Sequence, residues 1–130
     1  MVVDTSALLA IFMAEPERAQ FLEMITQSET RCISAASMLE TGIVLEARRG
    51  ESAGREFLLF MHDAKFDVIS VDSEQMDVAR LAWRKYGKVH HPAGLNFGDC
   101  FAYALAKVLD EPILFKGDDF KQTDLTSVLT

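Results

Sequence analysis

Short apolar runs alternate with longer segments of helical periodicity along this chain, and that alternation restricts its fold more than any other feature. The runs lie at 1–3, 31–33, 68–71 and 112–115, and a final short strand is predicted near 127–129. Strands that alternate with helices are typical of α/β proteins, because neighbouring parallel strands need a crossover connection that is usually a helix. The sequence therefore predicts an α/β fold with a parallel sheet.

The helical segments have ordinary start and stop signals. Pro16 stands where a first-turn proline opens a helix. Ser34 or Ser37 is placed to cap the following helix, Gly50 ends it, and Asp72 is placed to cap a later one. Helices are predicted at about 7–13, 16–25, 35–49, 52–65, 73–86 and 98–109, with a loop at 87–97.

Length and composition are those of one globular domain. The chain has 130 residues, 49% of them hydrophobic and 25% charged, and no linker divides it, so a single domain over residues 1–130 is predicted. No apolar run approaches the ~20 residues that cross a bilayer, and the first residues lack a signal-peptide pattern. Cys32 and Cys100 show no framework or metal-binding spacing. We therefore expect a cytoplasmic protein with reduced thiols and no membrane segment.

The net charge of −7 argues against a general nucleic-acid binder, which usually carries a basic surface. It suits a protein that concentrates carboxylates around a metal ion, or one with a basic partner. One basic stretch precedes Asp99 and is a candidate for holding phosphates, although an exposed helix end and loop explains it as well. It comprises Arg84, Lys85, Lys88, His90 and His91.

Several acidic residues are predicted to lie at one edge of the sheet. Asp4 follows the first strand, Asp99 opens a helix, and Asp118 and Asp119 follow the fourth strand. In open α/β sheets, ligands bind beyond the carboxyl ends of the strands. Each acid also has a structural explanation, since Asp4 is a helix cap, Asp99 suits the helix dipole, and the acidic pair suits a solvated turn.

Glu40 is unusual because it lies in the middle of a predicted helix. Ala36, Ile43, Val44 and Ala47 share its helical face, which predicts that this face is buried. A buried carboxylate costs several kcal/mol when it is ionised and unpaired. Glu40 is therefore expected to be protonated, paired with an arginine, or bound to a cation.

Together these acids predict a metal site. Clustered carboxylates raise one another's pKa unless a cation neutralises them. Hard oxygen ligands select Mg²⁺ or Mn²⁺, and such ions activate water for in-line attack on a phosphodiester.

Four short motifs, in this order, resemble those of PIN-domain ribonucleases, and specifically of the VapC-type toxins of toxin–antitoxin pairs. The motifs are Val2-Val3-Asp4-Thr5-Ser6-Ala7, Ser37-x-x-Glu40, Leu95-Asn96-Phe97-Gly98-Asp99-Cys100, and Phe115-Lys116-Gly117-Asp118-Asp119-Phe120-x-x-Thr123-Asp124. They span nearly the whole chain. The resemblance implies a three-layer α/β/α fold with a central parallel sheet of about four to five strands. It also implies Mg²⁺- or Mn²⁺-dependent endoribonuclease activity without a covalent intermediate.

The resemblance also implies roles for individual residues. Asp4, Glu40 and Asp99 match the acidic triad of the family, with Asp4 and Asp99 as direct metal ligands. The fourth acid is Asp119 or Asp118, and Asp119 matches better because it immediately precedes the phenylalanine of the motif. Ser6 matches a polar position that steadies the site.

The partners implied by the resemblance are an RNA substrate, a second copy of the chain in a homodimer, and an antitoxin protein. The antitoxin is expected to place a segment, often with an arginine, into the acidic groove. No residue identifies which RNA is cut, and none is assigned to substrate binding.

Three other interpretations were weighed against this one. A phosphohydrolase with an Asp nucleophile also carries an acid after its first strand, but it usually needs a second Asp where this chain has Ser6. A phospho-receiver or non-catalytic α/β interaction module needs an acidic pair after the first strand, where Asp4 stands alone, and a phosphoacceptor after the third, where Asp72 is better explained as a helix cap. An inactive member of the ribonuclease family keeps the same fold, but every acid of the motifs is present.

Overall fold

The structure is a computed structural model that describes residues 1–129. A parallel sheet of four short strands lies at its centre. The strands are β1 (Val2–Val3), β2 (Cys32–Ser34), β3 (Asp67–Ile69) and β4 (Ile113–Leu114). Their order across the sheet is β3-β2-β1-β4, and each neighbouring pair is parallel. The carboxyl ends of all four strands therefore meet at one edge, which confirms the predicted parallel α/β architecture.

Six helices pack around this sheet in the described part of the chain. They are α1 (Thr5–Phe12), α2 (Arg18–Gln27), α3 (Ala35–Arg49), α4 (Glu51–Asp63), α5 (Ser73–Tyr86) and α6 (Phe97–Leu109), followed by a 3₁₀ turn at Phe120–Gln122. None of these helices combines the length and the apolar character that crossing a membrane requires.

The helices form two layers because side chains alternate along each strand. Val3 and Leu114 contribute to the hydrophobic core that holds the buried residues of α1 to α4. Val2 and Ile113 contribute to the other core, with the buried residues of α5 and α6. Each central strand is thus buried on both faces, which is the three-layer α/β/α arrangement that the resemblance implied.

Local signals determine most of the helix boundaries. The Ser34 side chain accepts a hydrogen bond from Ala36 N and caps α3, while the helix ends at Gly50, whose φ of 86° is open to glycine. The Asp72 side chain likewise caps α5, as predicted. The choice between Ser34 and Ser37 is decided by position, since Ser34 ends β2 and Ser37 already lies inside the helix.

Several predicted boundaries differ from the structure by one or more residues, and three of these differences concern how an element begins or ends. α2 begins at Arg18, after a turn that contains Pro16, rather than at the proline. The third strand is Asp67–Ile69 instead of 68–71. The strand predicted near 127–129 is reduced to a single parallel bridge between Ser127 and Ile113. Short strands are bounded by their partners, here the register of β3 with β2, more than by their own apolar run.

Candidate active site

Asp4 lies at the carboxyl end of β1 and is also the N-cap of α1. Its Oδ2 accepts a hydrogen bond from Ser6 N at 3.0 Å, and the residue is only 4% exposed. The capping role and the site role predicted for Asp4 therefore coexist. A carboxylate held by its own backbone in this way is fixed in direction before any ligand binds.

Asp99 is fixed by a similar device at the beginning of α6. Its backbone N donates to Asn96 Oδ1 at 2.9 Å, and its Oδ2 accepts from Asn96 N at 3.0 Å, which together form a capping box. The sequence analysis predicted an acid in this first turn but missed Asn96 as its partner. The signal was present, because Asn followed three residues later by an acid is a known capping pattern.

The pKa values show that four acids share one electrostatic environment. Burial raises the pKa of Asp4 from its ordinary 3.8 to about 6, and the charge of Glu40 adds to the increase. Burial also raises the pKa of Asp99 to about 7, with added repulsion from three neighbouring carboxylates. These neighbours are Asp4, Asp119 and Glu40. The structure therefore brings together Asp4, Glu40, Asp99 and Asp119.

The surroundings of Glu40 differ from the prediction. The buried face of α3 carries Ser37, Thr41 and Leu45, whereas Glu40 is exposed and Ile43 on its side of the helix is 58% exposed. The small polar side chains face inward because they lie against the beginning of α1. Glu40 therefore needs no arginine partner, and no salt bridge within residues 1–129 includes it.

Gly98 makes room for Glu40 beside Asp99. A Cβ atom placed on Gly98 would lie 2.5 Å from Glu40 Oε2 and 3.0 Å from Oε1, which is closer than real Cβ contacts allow. The carboxylate of Glu40 thus lies against the first turn of α6, one residue from Asp99. The sequence analysis did not identify Gly98 as a functional position, because a glycine near a helix start has several ordinary explanations.

A network of hydroxyl groups joins α1 to α3 next to the site. Thr5 Oγ1 donates to Ser37 O at 3.2 Å, and Thr41 Oγ1 lies 2.8 Å from Ser37 O and 3.2 Å from Thr5 Oγ1. Thr5 follows Asp4 directly, and Thr41 follows Glu40 directly. The network therefore relates the backbone of one acid to that of another, across 36 residues of sequence. Sequence analysis missed it, since single threonines in helices carry no signal of a distant partner.

Ser6 links the first strand to the fourth. Its Oγ accepts a hydrogen bond from Lys116 N at 2.9 Å, while its own backbone N donates to Asp4. Lys116 immediately follows Phe115 and leads into the Gly117-Asp118-Asp119 turn. Ser6 thus holds Asp4 on one side and the start of the turn on the other, an arrangement consistent with the steadying position implied by the resemblance.

The two acids after the fourth strand have different surroundings. Asp119 contributes to the repulsion that raises the pKa of Asp99. Asp118 instead forms an exposed ion pair with Lys121 at 3.2 Å, and its side chain is 80% exposed. Asp119 thus acts on Asp99, whereas the described contact of Asp118 is with Lys121.

The basic stretch after α5 is tied to its own surroundings. His90 packs edge-on against Trp83, Lys85 lies over the ring of Tyr86, and His91 Nδ1 accepts a hydrogen bond from Ala93 N. None of the hydrogen bonds or ion pairs found for this stretch in residues 1–129 reaches the acidic cluster. The described contacts of these residues are those of a helix end and the loop that follows it.

The donor set of the cluster suits a divalent cation. All four candidate side chains are carboxylates, which are hard oxygen donors, and their mutual repulsion would be relieved by a bound ion. Within residues 1–129, no three His, Cys, Asp or Glu side chains already lie at metal-ligand spacing. The neighbouring carboxylates thus add to the raised pKa of Asp4 and of Asp99 without already forming a set of metal ligands.

Comparison with known proteins gives a consistent result. A family model described as PIN domain matches residues 1–125. The Ribonuclease VapC of Mycolicibacterium smegmatis is 54% identical over 129 residues, covering 98% of this chain and 99% of the relative. The crystal structure of Mycobacterium tuberculosis VapC20, described as a sarcin-ricin loop cleaving toxin, has a TM-score of 0.77 at 19% identity, covering 98% and 97% of the two chains. A toxin-antitoxin complex from Klebsiella pneumoniae gives 0.70 at 18%, covering 95% and 92%.

Proposed function

The chain belongs to the PIN-domain family, among the VapC ribonuclease toxins of toxin–antitoxin systems, and we propose that it cleaves RNA with water activated by Mg²⁺ or Mn²⁺ at its acidic cluster. The observation that carries this proposal is the raised pKa of Asp99, about 7, which three further carboxylates help to produce. A carboxyl group whose ionised form is unfavourable without a cation is a good ligand for a cation.

The proposed roles follow from how each acid is held. Asp4 and Asp99 are the direct metal ligands, because both are desolvated and oriented by backbone hydrogen bonds. Glu40 is exposed, so it can accept a proton from the attacking water or orient that water. Asp119 adds negative charge to the cluster. Ser6 connects the segment that follows Asp4 to the end of the fourth strand, because its Oγ accepts a hydrogen bond from Lys116 N.

A bound divalent cation lowers the pKa of its water and offsets the charge that develops on the phosphodiester. An aspartyl-phosphate enzyme usually carries a second Asp two residues after its nucleophile, and Ser6 occupies that position relative to Asp4. The hydroxyl of Ser6 already accepts a hydrogen bond from Lys116 N. We therefore propose direct attack by water without a covalent intermediate.

A cognate antitoxin is the proposed regulator, as in the toxin–antitoxin complex from Klebsiella pneumoniae whose toxin-like chain has this fold. A cationic side chain, such as an arginine of the antitoxin, is favoured where carboxylates crowd together. The net charge of −7 favours a basic partner segment. Since the substrate is cellular RNA, we expect the toxin to act in the cytoplasm.

Homodimerisation is the proposed assembly. A groove between α3 and α6 is lined by Leu39, Ile43, Phe97 and Phe101, and Phe97 is 80% exposed. A cluster of exposed apolar side chains of this kind favours association. Its position next to Glu40 and Gly98 would place the active site close to the dimer interface.

The test is cleavage of purified total RNA by antitoxin-free protein, with Mg²⁺, with Mn²⁺ and with a chelator, beside the Asp99→Asn variant. Discrete metal-dependent fragments that disappear in the variant are expected. Asp118→Asn is the matched control, because it removes an exposed acid outside the cluster and should cleave normally. Equal cleavage by Asp99→Asn, or cleavage that survives the chelator, would contradict the proposal.

A further inference from the structure

Asp124, near the end of the chain, is bound to α6 by two side chains. Tyr103 Oη donates to its Oδ1 at 2.5 Å, and Lys107 Nζ donates to its Oδ2 at 2.5 Å. Both carboxylate oxygens are therefore occupied, and no role in the proposed chemistry uses them. Asp124 belongs to the fourth motif of the sequence, which also contains Asp119.

The two partners of Asp124 lie on the same face of α6 as Asp99. Asp99, Tyr103 and Lys107 are spaced by four residues, so they form one stripe along the helix. Asp124 binds the second and third members of that stripe. Asp119, five residues earlier, is the acid that the proposed function places beside the first member, Asp99. Two acids of one segment, five positions apart, thus face one side of one helix.

The hydrogen bond from Tyr103 is the stronger of the two attachments. Tyr103 is 5% exposed, whereas the Lys107–Asp124 ion pair is about half exposed, with side-chain accessibilities of 46% and 41%. An exposed ion pair contributes little, but a buried hydroxyl that donates to a carboxylate forms a charge-assisted bond. Burial, followed by Asp124 as its hydrogen-bond partner, raises the pKa of Tyr103, which keeps the hydroxyl protonated as a donor.

The chain between Asp119 and Asp124 is short and well held. Phe120 is 2% exposed and packs on Phe115 with ring centroids 5.3 Å apart. Thr123 Oγ1 donates to Phe120 O at 2.7 Å and closes the 3₁₀ turn. The segment between Asp119 and Asp124 is therefore a compact turn, which relates the position of one acid to that of the other.

We propose that Asp124, through Tyr103, is a positioning residue that holds Asp119 beside Asp99. The inference deepens the proposed function and rests on it in one respect, since it treats Asp119 as the fourth acid of the metal site. Asp124 itself touches neither the metal nor the RNA. Its effect on activity is expected to pass entirely through Asp119.

The test is a double-mutant cycle between positions 119 and 124 in the full, antitoxin-free chain. Mn²⁺ affinity is measured by electron paramagnetic resonance titration, beside the rate of RNA cleavage. Asp124→Ala should weaken Mn²⁺ binding and slow cleavage by about 10-fold, as expected for the loss of a supporting contact. In the Asp119→Asn background the same change should cost less than about twofold, because the acid that it positions has already been altered. Equal losses in both backgrounds, or no loss in either, would overturn the proposal.

Two further variants guard against a simple loss of folding. Tyr103→Phe keeps the buried ring and removes only the hydroxyl, so it should reproduce most of the effect of Asp124→Ala and should not add to it. Lys107→Met removes only the exposed ion pair and should stay within about twofold of the unchanged protein. Asp77→Ala removes an exposed acid from α5 and is the control for loss of charge. A Tyr103→Phe variant with full Mn²⁺ affinity would contradict the proposed route.

A readout that needs neither metal nor RNA separates this inference from the proposed function. The backbone amide chemical shifts of residues 117–120 should move in metal-free Asp124→Ala protein and should stay in place in Asp77→Ala. Unmoved amides would overturn the positioning role even in an active enzyme. Moved amides in a protein that neither binds Mn²⁺ nor cleaves RNA would refute the proposed function and leave the attachment of Asp119 standing.

Discussion

The four clustered acids form two pairs that are held in different ways. Asp4 and Asp99, the inner pair, are bound to backbone N–H groups within three residues of themselves, and burial raises the pKa of both. Glu40 and Asp119, the outer pair, are exposed, and the hydrogen bonds found in residues 1–129 include neither side chain. Their positions depend on distant groups, namely Gly98 and the attachment of the last segment to α6.

This difference indicates that the inner and outer pairs have different roles in the site. An acid that is desolvated and fixed in direction is a good metal ligand, but it destabilises the metal-free fold when it is ionised. An exposed acid adds negative charge with little cost to folding. We therefore expect the inner pair to control metal binding and the outer pair to adjust it.

The largest expected effect comes from exchanging charge in the inner pair. Asp4→Asn and Asp99→Asn should each reduce RNA cleavage by more than about 100-fold, because each removes a direct metal ligand. Glu40→Gln and Asp119→Asn should cost about 10- to 100-fold, the usual range for supporting groups. Cleavage rates at saturating Mn²⁺ test the contrast. A variant of the outer pair that is as inactive as a variant of the inner pair would contradict the proposed difference between the pairs.

The pH dependence of stability should also separate the pairs. Below pH 3.8, the ordinary pKa of Asp, both the folded and the unfolded states hold the proton on Asp4 and Asp99. As the pH rises through about 6 and 7, the unfolded state has already released these protons, so the free energy of unfolding of the metal-free protein falls. The loss of unfolding free energy is complete above the pKa values that Asp4 and Asp99 have in the folded state.

Thermal melts of unchanged and Asp99→Asn protein, without metal, measure this effect. The variant should gain stability relative to the unchanged chain as the pH rises from about 5 to about 8, because it lacks the carboxyl of Asp99, whose pKa is raised in the folded state. Saturating Mn²⁺ should reverse the order, because the ion stabilises only the intact site. Asp118→Asn is the control and should show no such trend. If the stability advantage of Asp99→Asn over the unchanged protein shrinks as the pH rises, the raised pKa of Asp99 is contradicted.

Gly98→Ala should reduce activity by less, about 10-fold, by displacing an outer acid. The added Cβ would lie 2.5 Å from Glu40 Oε2, so the flexible carboxylate must move while the helix remains intact. The variant should lose no further activity when it is combined with Glu40→Gln, whereas independent effects would multiply. Cleavage assays of the two single variants and the double variant decide between these outcomes.

Ser6→Ala should give the smallest effect, a few-fold loss of cleavage and about 1 kcal/mol of stability. The change leaves Lys116 N without its acceptor, in a place that is only partly buried. The backbone N of Ser6, which alanine keeps, should still cap Asp4. The hydroxyl of Ser6 also lowers the pKa of Asp4, so its loss should raise that pKa further. A loss comparable with that of Asp4→Asn would show that Ser6 does more than hold the two strand ends together.

The inner pair was predictable because its positions follow from local patterns. An Asp directly after a first strand and an Asp in the first turn of a helix both lie where a parallel sheet places its carboxyl edge. Local patterns predicted the outer pair less fully, because they placed Asp118 and Asp119 together at the end of the fourth strand without choosing between them. The helical pattern around Glu40 indicated burial, and the structure exposes that face, since Ser37 and Thr41 make the polar contact with Thr5 instead.

What the sequence alone determined is the set of relationships that span a few residues: strand–helix alternation, the caps at Asp4 and Asp72, and the stop at Gly50. Only the tertiary structure decided that Glu40 lies against Gly98, and that Tyr103 binds Asp124 across 21 residues. The reason is physical. Capping and periodicity depend on backbone geometry within one helical turn, which neighbouring residues encode, whereas a contact between distant side chains depends on how whole elements pack.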